Sequence, residues 1–393
     1  MSSSLGKEEN SATKVITPNK EAANLVKGMG GEALKLCFQC GLCTVSCPWN
    51  IVRTFIPHKM IRQAQFGLFD LEDEEWWRCT TCNTCVSRCP RGVGIIDIMI
   101  ALRRIKVEEG RIPKTLIDAL EGVFNHGNPW GRIRSKRTEW AADLGIKDIT
   151  QGDKVDTLLF IGCAASYDPR VQEVAKSLVK SLFKAEVNFG ILGTEETCCG
   201  SEIRRMGEMG LFEMLVEDNL NLFRKYDITQ IVTISPHCYN VFKNEYKDNK
   251  LDVKHYTQYL AELIDTGKLT FSKKLEKVVT YHDPCYLGRH NGIYNEPRKI
   301  IESIPGLELV EMPDSRERSL CCGGGGGRMW LETEKEERFA DLRLMQALEV
   351  KAKVLVTSCP FCMINLEDSL STMDKSGAIE IKDISELVQN VIE

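Results

Sequence analysis

The 393-residue sequence lacks the features that would assign several common functions at once. No apolar run approaches the ~18–20 residues that a membrane span needs. The nearest stretch, VGIIDIMIALRRI, is short and carries Asp97. Positive charge is not in excess: 51 Lys and Arg stand against 56 Asp and Glu, and the net −5 gives no support for nucleic-acid binding. No G-x-G-x-x-G follows a strand with an acidic residue about 20 positions on, so a dinucleotide fingerprint is missing. The glycine run Gly323–Gly327 is not followed by the Lys-Ser or Lys-Thr of a phosphate loop. The polar start MSSSLGKEENSATK has no apolar core for a secretory signal. These absences predict a cytoplasmic chain whose membrane association runs through a partner. A composition of 43% hydrophobic and 27% charged residues fits a globular protein, and the length allows two or three domains.

What the sequence does have is cysteine, 17 in all, and in groups. Without a secretory signal, grouped thiols read as metal ligands rather than disulfides. CFQCGLCTVSCP supplies Cys37, Cys40, Cys43 and Cys47; CTTCNTCVSRCP supplies Cys79, Cys82, Cys85 and Cys89. Both are C-x2-C-x2-C-x3-C-P, and every cysteine of the first recurs 42 residues later in the second. Thiolates are soft ligands that suit iron–sulfur clusters. In two-cluster ferredoxins the cysteine before proline reaches the cluster of the other half. The spacing therefore predicts one cubane [4Fe–4S] cluster on Cys37, Cys40, Cys43 and Cys89, and a second on Cys79, Cys82, Cys85 and Cys47. A pair of zinc sites is the competing reading, disfavoured by the doubled spacing and both prolines. Such clusters have no open coordination position, so this mostly helical module is expected to carry electrons.

From Lys154 strands alternate with helices, which predicts parallel α/β sheets. Cys163 recurs as Cys285, Cys198–Cys199 as Cys321–Cys322, and Cys238 as Cys362, at offsets of 122, 123 and 124. Two homologous halves follow. In both, the cysteines stand where strands end, at the edge on which open α/β sheets build sites. The second half offers five thiols: Cys285, Cys321, Cys322, Cys359 and Cys362. A cubane needs four, so five suit an opened cluster with an iron able to bind an outside sulfur. In the first half Ser235 stands where Cys359 is expected, leaving Cys163, Cys198, Cys199 and Cys238. That half is open to a cubane, to zinc or to no metal; His237 is a weak candidate for a substitute ligand. His282 and His290 are candidates for proton handling. Arg328 is a candidate for an anionic substrate group or for offsetting cluster charge. Gly323, Gly324 and Gly325 would let backbone N–H groups approach cluster sulfur. The basic run Arg132, Arg134, Lys136 and Arg137 reads first as solvated surface, and Trp76 and Trp77 as packing.

The paired CCG motifs behind two ferredoxin motifs, with YHDPCYLGRHNGIY and CCGGGGGRMW, resemble the family of heterodisulfide reductase D subunits. They are also similar to the K subunit of the sulfite-reductase-linked membrane complex and to the iron–sulfur subunits of glycolate, lactate and anaerobic glycerol-3-phosphate dehydrogenases. The resemblance implies a noncubane [4Fe–4S] cluster on Cys285, Cys321, Cys322, Cys359 and Cys362. It implies that electrons cross the two cubanes to this catalytic cluster, which reduces a disulfide on a small molecule or small protein, or oxidises thiols. The departure at Ser235 points to a single catalytic cluster, as in the K-subunit type. The implied partner is a membrane haem and quinone subunit or a flavoprotein. The alternative is a relay without a substrate site, serving an FAD-dependent 2-hydroxy-acid or glycerol-3-phosphate dehydrogenase and delivering electrons to quinone. The expected organisation is a flexible 1–30, a two-cluster domain at 31–110, a linker at 111–153, a degenerate first CCG domain at 154–270 and a complete second one at 271–393.

Overall fold

The computed structural model describes residues 17–247 and 251–392. Among the described residues the first helix begins at Lys20. Helix α1 (Lys20–Val26), capped by the Asn19 side chain, buries Ala23 and Val26. It packs on α2 (Pro57–Phe66) and α3 (Ile95–Glu108). The expected flexible 1–30 is therefore corrected over this stretch, because an apolar stripe on α1 closes the first domain; residues 1–16 lie outside the described residues. The apolar run that could not span a membrane becomes α3, which buries residues on every face at the centre of this domain.

The cysteine repeat is also a backbone repeat. Gln39 and Gly41 flank Cys40 with φ of 66° and 79°, and Thr81 and Asn83 flank Cys82 with φ of 52° and 69°. Each second positive φ opens a one-turn helix, Leu42–Val45 in one copy and Thr84–Ser87 in the other. A positive φ is costly for any residue with a Cβ and most for β-branched Thr81, so surrounding contacts must hold these turns.

Residues 111–153, expected as a linker with a helix or two, also carry a short strand. They hold α4 (Lys114–His126), a short 3-10 helix at Arg134–Ala141, and β1 (Lys147–Asp148), which pairs with the first sheet. The first sheet therefore takes in residues before 154. It adds β2 (Thr157–Phe160), β3 (Phe189–Ile191), β4 (Gln230–Thr233) and β5 (Asp252–His255), parallel in the order β1-β3-β2-β4-β5. The second sheet holds β6 (Lys277–Tyr281), β7 (Leu307–Leu309), β8 (Val354–Thr357) and β9 (Glu380–Asp383), parallel in the order β7-β6-β8-β9. The two orders match once the edge strand β1 is set aside, as the cysteine offsets require. In both sheets the chain leaves its first long strand to one side and returns on the other, which makes a switch point at the carboxyl ends.

The halves share one core. Helix α5 (Pro169–Lys184) packs on α6 (Ile384–Ile392), and α7 (Tyr256–Asp265) packs on α8 (Asn295–Ser303). Because α6 and α7 close equivalent halves, and α5 and α8 follow equivalent strands, these contacts are reciprocal. Tyr256 donates to Asp383 at 2.7 Å and Ser385 donates to the Val174 carbonyl at 3.1 Å across the seam. Helix periodicity in the sequence indicated amphipathic elements; it did not indicate that each half would complete the other.

Candidate metal centres

Cys37, Cys40, Cys43 and Cys89 line one small cavity, with His58 and Pro90 on its wall. Cys47 sits instead among the other set. Burial and then Cys82, Cys79 and Cys43 push its thiol well up. Burial followed by Cys79, Cys82, Cys47 and Cys43 does the same to Cys85. The fourth cysteine of each motif thus stands with the first three of the other. Packed thiols raise one another's pKa because buried like charges have no screen; a cationic iron–sulfur core removes that penalty.

All five thiols of the second half are buried. Cys321 lies within side-chain hydrogen-bonding reach of Cys285, Cys322 and Cys82. Cys322 reaches Cys362 in turn, and Cys362 reaches Cys359. Two buried donors face this group and have no partner among the described residues: Nε2 of His282 and Nη2 of Arg289. His282 has a ring nitrogen within 4.8 Å of the Sγ atoms of Cys322 and Cys362. Cys82, Cys285 and Cys321 surround Arg289 and raise its pKa against the opposing effect of burial. Orphaned N–H groups beside crowded thiols are what a sulfide-rich group satisfies, so these residues fit an iron–sulfur cluster.

The glycine run has two separate tasks. Gly323, with φ of 93°, donates its N–H to Cys321 Sγ at 3.3 Å; Gly200 in the first half, with φ of 79°, donates to Cys198 Sγ at 3.4 Å. Beyond that shared turn the loop meets the two-cluster domain. A Cβ on Gly325 would stand 2.6 Å from the Thr80 carbonyl oxygen, and one on Gly326 would stand 2.5 Å from that of Cys79. Gly325 and Gly326 are therefore bare so that a ferredoxin cysteine loop can lie against them. Gly324 meets only the Asn365 and Met329 side chains.

Other contacts lock the same seam. Arg103 of α3 is fully buried and donates to the carbonyls of Trp76, Cys79, Arg205 and Gly326 at 2.7–3.0 Å. Tyr286 shares a 2.6 Å hydrogen bond with Thr81, and His290 contacts the Thr81 carbonyl at 2.8 Å, so the second half supports the strained turn at Thr81. Sequence reasoning missed Arg103, although a charge inside an apolar run was the available signal.

The degenerate half is built differently. Cys163, Cys198, Cys199 and Cys238 line a second, apolar cavity of about 40 Å³ with Ser235, Trp130 and Phe361. Ser235 is the N-cap of the following helix and accepts from the His237 N–H at 3.2 Å. His237 is not turned toward a ligand role there. Its ring contacts Glu202 at 2.9 Å and stacks on Tyr286 at 4.0 Å. Burial works against its charge, but Cys359 and Glu202 beside it raise its pKa to about 9. This first-half cation thus serves the second half's Cys359. The basic run is also corrected at Arg137, which is buried, donates to the Glu196 carbonyl at 2.7 Å and reaches Cys163 Sγ at 3.5 Å.

His282 and His290 are each held by a hydrogen bond. The Nδ1 of His282 receives Arg343 Nε–H at 3.1 Å, and burial followed by Arg343 holds its pKa well below the usual range. Burial likewise holds His290 down to about 3. Arg328 lines a cavity of about 320 Å³ that opens beside Cys322 and Gly323, with Trp49 and Phe339 on its walls. It is held by Thr333 and the Glu332 carbonyl, and burial with the nearby Arg78 and Arg103 pushes it down to about 10, so it stays charged at neutral pH.

Comparison with known proteins follows this division of the chain. A 4Fe-4S dicluster domain matches residues 33–93, and a cysteine-rich domain matches twice, at 157–243 and 279–367. The chain is 31% identical to the D subunit of the dihydromethanophenazine:CoB–CoM heterodisulfide reductase of Methanosarcina barkeri, over 96% of this chain and 98% of that one. It belongs to the family of heterodisulfide reductase D subunits. Within this family setting, it is 41% identical to the probable iron-sulfur-binding oxidoreductase FadF of Bacillus subtilis, over 81% of this chain and 46% of that one. It is 36% identical to the EtfAB:quinone oxidoreductase of Syntrophomonas wolfei, over 83% and 48%. The chain spans about half the length of these two relatives. As a member of this family it is an iron–sulfur protein related to oxidoreductase subunits, with a 4Fe–4S region at its N-terminal side. No helix among the described residues is long and apolar enough to cross a membrane.

Proposed function

We propose that the chain passes electrons between a redox partner and a disulfide site in its second cysteine-rich half. On this reading Cys37, Cys40, Cys43 and Cys89 hold one cubane, and Cys79, Cys82, Cys85 and Cys47 hold the next. Cys285, Cys321, Cys322, Cys359 and Cys362 hold a noncubane [4Fe–4S] group. When bound, that group supplies two-electron sulfur chemistry, the reduction of a disulfide to two thiols or its reverse. The observation that carries the proposal is the seam at which Cys82 of the ferredoxin repeat meets Cys321 of the five-thiol set. A relay that ends in contact with a five-thiol site, itself beside a cavity, supports a terminal acceptor there.

The remaining residues bind and orient. The cavity at Cys322 admits a small disulfide, with Arg328 as a fixed positive wall and Trp49 and Phe339 as apolar ones. Charged His237 stabilises thiolate at Cys359, and Gly323 donates to Cys321. At the far end Cys40 is exposed, with Phe38, Leu42 and Val45 exposed nearby, which supports electron exchange with a partner protein at that face. The partner is a flavoprotein or a membrane haem and quinone subunit, in keeping with relatives named for EtfAB, quinone and a membrane anchor. Membrane association then runs through that partner. The first cysteine-rich half keeps four thiols around an apolar cavity and has no substrate role here.

Iron and acid-labile sulfide in anaerobically purified protein test the cluster count. About 12 irons per chain fits two cubanes and one noncubane by four-iron clusters; about 16 adds a cluster in the first half, and about 8 removes the disulfide site. Thiol added to the oxidised protein should then produce a new paramagnetic signal. Silence in that experiment at 12 irons would favour a pure relay.

A further inference from the structure

His282 ends the strand path of β6, and its N–H donates to the Val356 carbonyl at 2.8 Å, fixing its place at the switch point. Its Nδ1 receives Arg343 Nε–H at 3.1 Å. Arg343 is fully buried and fixed in turn by the Asp314 carbonyl at 2.6 Å and Gln346 at 2.7 Å. A guanidinium offers only donors. Nδ1 must therefore be the acceptor, and the single ring proton must sit on Nε2. That Nε2–H is buried and has no partner among the described residues, while the ring lies beside Cys322 and Cys362 Sγ. A nitrogen that carries the proton has no lone pair for iron. A ring whose other nitrogen is occupied by arginine cannot shuttle a proton.

We propose that His282 is a fixed hydrogen-bond donor, through Nε2–H, to a sulfur of the iron–sulfur group held by the second cysteine-rich half. It is neither an iron ligand nor a proton carrier. A donor aimed at cluster sulfur stabilises the form with more negative charge, so it raises the reduction potential and draws electrons onward from the cubanes. The cysteine offset places Phe160 at the equivalent position of the first half, a buried ring with no donor, so the device belongs to the complete half alone.

The proposal rests on the reading that this half holds an iron–sulfur group. It is tested in the full chain by redox-poised EPR on wild type, His282→Leu and His282→Gln. The Leu variant should shift the midpoint of the second-half signal to lower potential, with iron content and ferredoxin signals unchanged. Gln, whose amide N–H reaches the Nε2 position, should recover part of the shift. Pulsed EPR of wild-type protein carrying 15N-histidine should show a weak coupling on that signal, a measurement that needs no variant to fold. An unchanged midpoint in Leu overturns the proposal, and so does loss of iron on substitution or a strong coupling of iron-bound nitrogen. Wild type with only the ferredoxin clusters loaded would instead overturn the underlying reading.

Discussion

Ser235 separates the two halves of the chain at the level of a single side chain. Ser235 and Cys359 occupy equivalent N-caps, Ser235 of the helix that follows β4 and Cys359 of the helix that follows β8. The Ser235 hydroxyl accepts from the helix N–H of His237, whereas the Cys359 thiol makes no capping bond and faces Cys362 and His237. Ser235→Ala should therefore cost about 1 kcal/mol, the usual value of a cap, and leave iron content unchanged. Chemical denaturation and iron analysis check this, and iron loss would make the serine a ligand. The missing fifth thiol was legible from the SPHC and CPFC comparison. The task of His237 was not, because spacing along the chain places it beside Cys238, while the fold turns it across the seam to Cys359.

Among the elements, the glycine loop carries the most instructive difference between pattern and structure. Five bare residues after two cysteines read as a cradle for substrate and cluster, and Gly323 does donate to a cysteine sulfur. Gly325 and Gly326, however, are bare because carbonyls of the Cys79–Thr81 turn lie against them, a contact between segments roughly 245 residues apart that no local pattern encodes. Gly326→Ala puts a Cβ against backbone in a conformation with φ of 67°, so neither partner can yield cheaply. Gly324→Ala meets only the ends of two side chains, which can rotate away. Electron transfer from reduced cubanes to the second-half site, followed by rapid-freeze EPR, should slow markedly in Gly326→Ala and little in Gly324→Ala. Equal effects would show that the loop is not a docking surface. The cysteine-bearing strand ends and the parallel direction of the strands were legible from alternation and offsets, whereas the strand order and the strands β5 and β9 were not. The edge strand β1 was not, being two residues long inside a Gly-rich stretch.

At the scale of the whole molecule, one side chain ties three domains together. Arg103 reaches the carbonyls of Trp76 and Cys79 in the two-cluster domain, Arg205 in the first half and Gly326 in the second. Hydrogen bonds from a charged donor are among the stronger ones, and removing it leaves buried carbonyls without a partner. Arg103→Leu should destabilise the assembled chain by on the order of 3–5 kcal/mol, with much of the loss between domains rather than within them. Arg103→Lys keeps the charge but, with a single ammonium, cannot span the same fork. A protease site inserted at Gly110, an exposed turn after α3, separates these outcomes. After cleavage the wild-type fragments should co-elute on anaerobic gel filtration, since the Cys82–Cys321 contact, the glycine loop and Arg103 all cross the cut. The Leu variant should release a two-cluster fragment that keeps its iron, with the Lys variant intermediate. Release from wild type as readily as from the variants would mean that the covalent chain, not Arg103, holds the ferredoxin clusters against the five-thiol site.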